Sequence, residues 1–174
     1  MAGQAKQAAK GSTPQRRRES EAERADRNMG ELLQELRVAL PGVQVLFAFL
    51  LAVPFTPVFG TVSSFERDVY FGTLCGAALA SALLIAPSAV HRLNFRAGDK
   101  AQIVFVSNKL AIAGLAVLAL TITGVMLLIS HVIFSPAAAV VATSLSGAVF
   151  LLLWAVLPLW ERRASHRDFW SKSS

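Results

Sequence analysis

Four stretches of this chain, Leu40–Gly60, Val69–Val90, Leu110–Ile133 and Pro136–Trp160, contain no Asp, Glu, Lys or Arg. Crossing a hydrocarbon core takes about 20 helical residues at roughly 1.5 Å rise, and all four stretches are that long. In a chain of 174 residues, 54 % of them hydrophobic, four such blocks leave too little polar sequence to cover a soluble core. Strands are excluded, because open sheet edges cannot be satisfied in lipid and four segments cannot close a barrel. The sequence therefore predicts an all-α protein, a four-helix transmembrane bundle with spans near 40–60, 69–90, 110–133 and 136–160.

The connecting segments predict orientation. Of the 17 Lys and Arg residues, all but Arg67 lie before the first block, between the second and third, or after the fourth. Excess Lys and Arg in short loops marks the cytoplasmic side, so both termini are expected inside, in a multi-pass protein of a bacterial cell membrane. No cleavable signal peptide is expected: the first apolar block is too long for one and lacks a small-residue cleavage site. Arg16-Arg17-Arg18 is too far from that block to read as an export signal. The formal net charge of +6 then reads as topology and as attraction to anionic lipid on the cytoplasmic side, worth about 1 kcal/mol per residue near the surface. Nucleic acid is not an expected partner, because the basic segments lack interleaved aromatics and a folded domain to present them.

Residues 1–28 show no apolar periodicity and read as a disordered basic cytoplasmic tail; residues 161–174 read as a second basic tail. Between the first tail and the first span, Leu32, Leu33, Leu36 and Leu40 recur at helical spacing opposite Glu31, Gln34, Glu35 and Arg37. We read residues 29–40 as an N-terminal amphipathic interfacial helix lying in the headgroup plane, set apart from the span by Pro41-Gly42. The other arrangement is a plain extension of the first span.

Within the spans, Pro54 and Pro57 predict a kink or an early helix end. Together with Gln44 they are candidates for lining a pathway or for shaping packing. Gly72, Gly76 and Ala80, and likewise Ala139, Thr143 and Gly147, recur every fourth residue. Small residues at that spacing let helix backbones approach closely where lipid offers no hydrophobic drive, so these six are the expected packing faces. Tyr70 and Trp160 sit where interfacial aromatics anchor a helix.

The chemistry of known activities is missing. No carboxylate sits in mid-membrane, where ion-coupled exchange would be expected to place one. Cys75 is the sole cysteine, and the three histidines lie at different depths, which argues against a disulfide, a thiol pair or a bis-histidine haem. Hence no catalytic, metal or cofactor-binding residues are assigned, and an enzyme is not expected. One polar cluster remains: His91, Arg92, Arg96, Lys100 and Lys109 in and beside the loop between the second and third spans. These residues can grip anionic headgroups or an acidic partner, or simply fix topology.

The run Glu31-Leu32-Leu33-Gln34-Glu35-Leu36-Arg37-Val38, joined to Leu40-Pro41-Gly42-Val43-Gln44, with Pro87, His91-Arg92 and Phe95-Arg96 later, resembles a family of small actinobacterial integral membrane proteins of unknown function. The similarity covers roughly residues 25–135. Members of that family have sometimes been labelled sodium:proton antiporters, a label the residues here do not support. The resemblance brings no site residues with it.

Two functional classes follow. The first is a non-catalytic partner subunit or self-associating scaffold, binding a membrane protein or a second copy of itself. The second is a small transporter or channel, oligomeric in some arrangements. A pore should place Gln44, Thr56, Thr121, Thr123, Ser144 or Ser146 on one continuous inward stripe, whereas a scaffold should bury them in helix contacts.

Overall fold

The computed structural model describes residues 21–93 and 100–156. Helices α1 (Glu21–Ala52), α2 (Ser64–Leu93), α3 (Lys100–Ile133) and α4 (Pro136–Leu151) follow one another, and no strand occurs among the described residues. All four are long and apolar enough to cross a membrane once the turn Leu152–Val156 is counted with α4.

Turns are set by residues that deny or redirect backbone bonds. Helix α1 stops at Ala52, and two 3-10 turns, Val53–Phe55 and Pro57–Thr61, carry the chain to α2. The expected first span to Gly60 is thus shortened by Pro54 and Pro57, which end the helix early. Ser63 caps α2: its Oγ accepts from the Glu66 amide at 3.3 Å, while Glu66 Oε2 accepts from the Ser63 amide at 2.7 Å. This reciprocal pair is the capping box. Between α3 and α4 only Phe134 and Ser135 intervene, and Ser135 Oγ accepts from the Ala138 amide ahead of Pro136 at the first helical position.

Two expectations for the N-terminal region are corrected. Residues 21–28 are helical, so the disordered tail does not reach residue 28; residues 1–20 lie outside the described residues. Residues 29–40 are helical as expected, but they are not a separate interfacial helix, because α1 runs unbroken through Pro41. The reason lies in what the leucines meet. Leu36 packs with Val43 of its own helix and with Ala80, Leu84 and Ala111 of α2 and α3, flanked by Leu32 and Leu40. The apolar stripe finds protein where lipid was expected, and Pro41 lies exposed on the opposite face.

The packing follows a seven-residue period. Met29, Leu36, Val43 and Leu50 are the buried positions of α1 at intervals of seven. In α2 the buried positions are Tyr70, Thr73, Ala77, Ala80, Leu84 and Pro87, two interleaved series with the same interval. Ser107, Gly114 and Thr121 continue it in α3. A 3.5-residue average keeps one seam facing its partner, as in left-handed coils.

Helix α3 is the centre of the fold. It touches each of the other three helices, α1 and α2 also touch each other, and α4 meets no other helix but α3 among the described elements. The bundle is therefore open on one side, with α4 leaning on α3 alone.

Candidate functional site

The α2–α3 seam is built from notches. A Cβ added at Gly114 would sit 2.8 Å from Leu84 Cγ and Cδ2; at Gly124, 2.6 Å from Thr73 Cγ2; and at Gly76, 2.5 Å from Thr121 Oγ1. These pairs fix one antiparallel register, in which each step up α2 is a step down α3. Carried to the end of the hairpin remote from the termini, that register brings Glu66 opposite His131.

Glu66 Oε1 lies 3.0 Å from His131 Nδ1, linking the first turn of α2 to the last turn of α3. Since an ionised carboxylate only accepts, Nδ1 is the donor in this contact. The other carboxylate oxygen accepts from the Ser63 amide and, at 2.9 Å, from Ser63 Oγ. The Phe65 ring lies 5.4 Å from the imidazole. The side chains are 12 % exposed for Glu66 and 33 % for His131, so this is a half-buried clamp with one side open. Next to it is a small cavity of about 170 Å³, lined by Val53, Thr56, Phe59, Glu66, Leu128 and Val132 among others. The pair can hold two helix ends together.

One turn deeper, Tyr70 is buried and its hydroxyl donates to the Leu50 carbonyl at 2.9 Å. Leu50 precedes Pro54 by four residues, so its carbonyl is the one that the proline leaves without an amide partner. In lipid an orphaned carbonyl costs several kcal/mol, and Tyr70 removes that cost across helices. Its ring meets Phe59 edge-on at 5.0 Å. The sequence places Tyr70 among interfacial anchors, and the structure gives it an interhelical contact.

The six expected packing residues divide. Ala80 and Ala139 are buried, Gly76 faces Thr121, and Gly147 lies near the Thr123 methyl, where an added Cβ would make ordinary contact at 3.8 Å. Thr143 is half-buried, its hydroxyl bonded to the Ala139 carbonyl at 2.7 Å. Gly72 is the exception: it is exposed, with nothing near its missing side chain. A four-residue series precesses off a seam of period 3.5, so Gly72 rotates out of the interface that Ala80 occupies.

Gln44 is exposed on α1, beside the buried Val43, and is not grouped with the half-buried Pro54 or the exposed Pro57. Nor do the polar residues of the later spans align with it. Thr121 is buried against α2, Thr123 is half-buried, Ser144 is exposed and Ser146 half-buried. The hydroxyls of Thr121 and Thr123 bond carbonyls of the preceding turn, both at 2.8 Å. Of the basic cluster, His91 is half-buried and Arg92 exposed near the end of α2, and exposed Lys109 places Nζ 4.3 Å from the centre of the Phe105 ring. Arg96 and the side chain of Lys100 lie outside the described residues, as do Trp160 and the tail 161–174.

The sequence reading missed the Glu66–His131 and Tyr70–Leu50 contacts. Ser63-x-x-Glu66 was a visible helix-start signature, and an antiparallel hairpin starting there ends near His131. The Pro54 rule likewise pointed to Leu50 as a carbonyl in need of a donor.

Among the described residues no three His, Cys, Asp or Glu side chains gather as a metal site would require. No curated protein and no solved structure matches the chain. The profile of a family described as being of unknown function, DUF6328, matches residues 18–158, and the chain belongs to that family.

Proposed function

We propose that this member of DUF6328 is a multi-pass protein of a bacterial cell membrane, with both termini cytoplasmic, acting without catalysis as a partner subunit or self-associating scaffold. The observation that carries this reading is the open architecture: among the described elements α4 rests on α3 alone, which leaves its other faces for another membrane protein or a second copy. The scattered placement of Gln44, Thr121, Thr123 and Ser144 supports it further, because a pathway needs such groups on one stripe. The charge asymmetry of the connecting segments supports the orientation. The basic cluster around Arg92 and Lys109 then supplies a cytoplasmic contact surface.

The test combines two measurements on the full chain. Cysteines at Val141 and Leu145, exposed on α4, should cross-link in native membranes to a partner of fixed stoichiometry. Liposomes containing the purified protein should show no ion or proton flux. Flux abolished by Gln44→Leu or Glu66→Gln would overturn the reading, as would reporter fusions placing the Arg92–Lys100 loop outside the cell. The second reading, a small transporter or channel, draws on one observation, the Glu66–His131 pair beside its cavity.

A further inference from the structure

The face of α3 turned toward α4 differs from the face turned toward α2. Between α3 and α4 lies an apolar groove of about 670 Å³, floored by Ala116, Ala119 and Gly147 and walled by Leu120, Phe150 and Trp154 among others. It runs from Ile112 to Thr123 along α3, about 16 Å at 1.5 Å per residue. That is close to half of a hydrocarbon core about 30 Å thick, so the groove is long enough to span one leaflet. Its volume is within the roughly 300–1,000 Å³ of pockets that hold small ligands. Thr123, a polar residue in the lining, has its hydroxyl proton committed to the Ala119 carbonyl.

Lys109 stands three residues before Ile112, hence on the same helical face and one turn nearer the termini. Helical side chains lean toward the N-terminus, which here directs Nζ out of the groove and toward the membrane surface. The Phe105 ring fixes it there from one side. An apolar, leaflet-long channel with the Lys109 cation above its mouth matches a molecule with an apolar tail and an anionic head.

We propose that the α3–α4 groove is a binding site for one anionic phospholipid, its acyl tail along Ala116, Ala119 and Gly147 and its phosphate over Lys109. The site is independent of the partner reading, which concerns the outward faces of α4. The full chain carrying Trp160→Phe and Trp170→Phe retains Trp154 in the groove as its sole tryptophan. In bilayers of phosphatidylcholine, bromine-labelled phosphatidylglycerol should quench Trp154 with about five-fold higher apparent affinity than bromine-labelled phosphatidylcholine, the worth of one well-placed cation. Lys109→Gln should abolish that preference, while Arg37→Gln, a change of the same charge on α1, should leave it. Ala116→Phe, on an exposed residue of the groove, should reduce quenching by both lipids. Equal quenching by the two lipids, or a preference that survives Lys109→Gln, would overturn the proposal. So would unchanged quenching in Ala116→Phe, or a disulfide between copies through Leu153→Cys in a Cys75→Ser background, which would assign the groove to a second copy.

Discussion

Helix α3 has two long seams of opposite character. Toward α2, three glycines receive side chains from the facing helix, and the buried positions of α2 keep a seven-residue period. Toward α4, the glycine at 147 meets only the edge of Thr123, and a groove remains. Both seams are lined with small residues, so small residues alone do not make a tight contact. What differs is whether a larger side chain across the interface fits the notch. Leu84 fills the one at Gly114; at Gly147 no facing side chain lies closer than ordinary contact.

The largest effect expected from this contrast is on the α2–α3 side. Gly114→Leu forces a branched side chain onto the fully buried Leu84 and should cost about 3 kcal/mol or more. Gly147→Leu, made toward the groove, should cost less than about 1 kcal/mol. Unfolding of the detergent-solubilised protein, followed by tryptophan fluorescence, measures both. Equal costs would break the comparison.

Next in size is Tyr70→Phe. It keeps the ring against Phe59 but removes the donor to Leu50, and should cost about 1–2 kcal/mol in the same assay. Restoring an amide at the position responsible, with Pro54→Ala, should shrink the Tyr70→Phe penalty, because the Leu50 carbonyl would regain a local partner. A penalty of the same size in both backgrounds would refute that account.

The smallest effect is expected at the Glu66–His131 clamp. Glu66→Ala removes both the helix cap and the contact to His131, whereas His131→Ala removes only the latter. In a double-mutant cycle the joint change should be less harmful than the sum, with Glu66→Ala the worse single variant. Strict additivity would mean that the 3.0 Å contact contributes nothing.

How much of this was readable depends on the range of the interaction. The four spans were legible because an unbroken apolar block must satisfy its backbone internally, wherever it sits. The early end of the first span at Pro54 and the cap at Ser63 are likewise local. The packing faces were only half legible: a four-residue interval takes in Ala80 and Ala139, which are buried, together with Gly72, which is exposed, because the period of the seam is set by the supercoil. The amphipathic stripe at Leu32–Leu40 was legible as a stripe, yet its neighbour was not. One chain cannot show that α2 and α3 offer Ala80, Leu84 and Ala111 to it.

By itself, then, the sequence determined which segments are helices long enough for a membrane. Propensity, backbone satisfaction and proline chemistry act within a turn or two of the residue concerned. Only the tertiary structure decided that α3 is central, that α4 stands apart from α1 and α2, and that Tyr70 and Glu66 reach across to other helices. Those outcomes depend on which side chain faces which notch, and that is a property of two helices together.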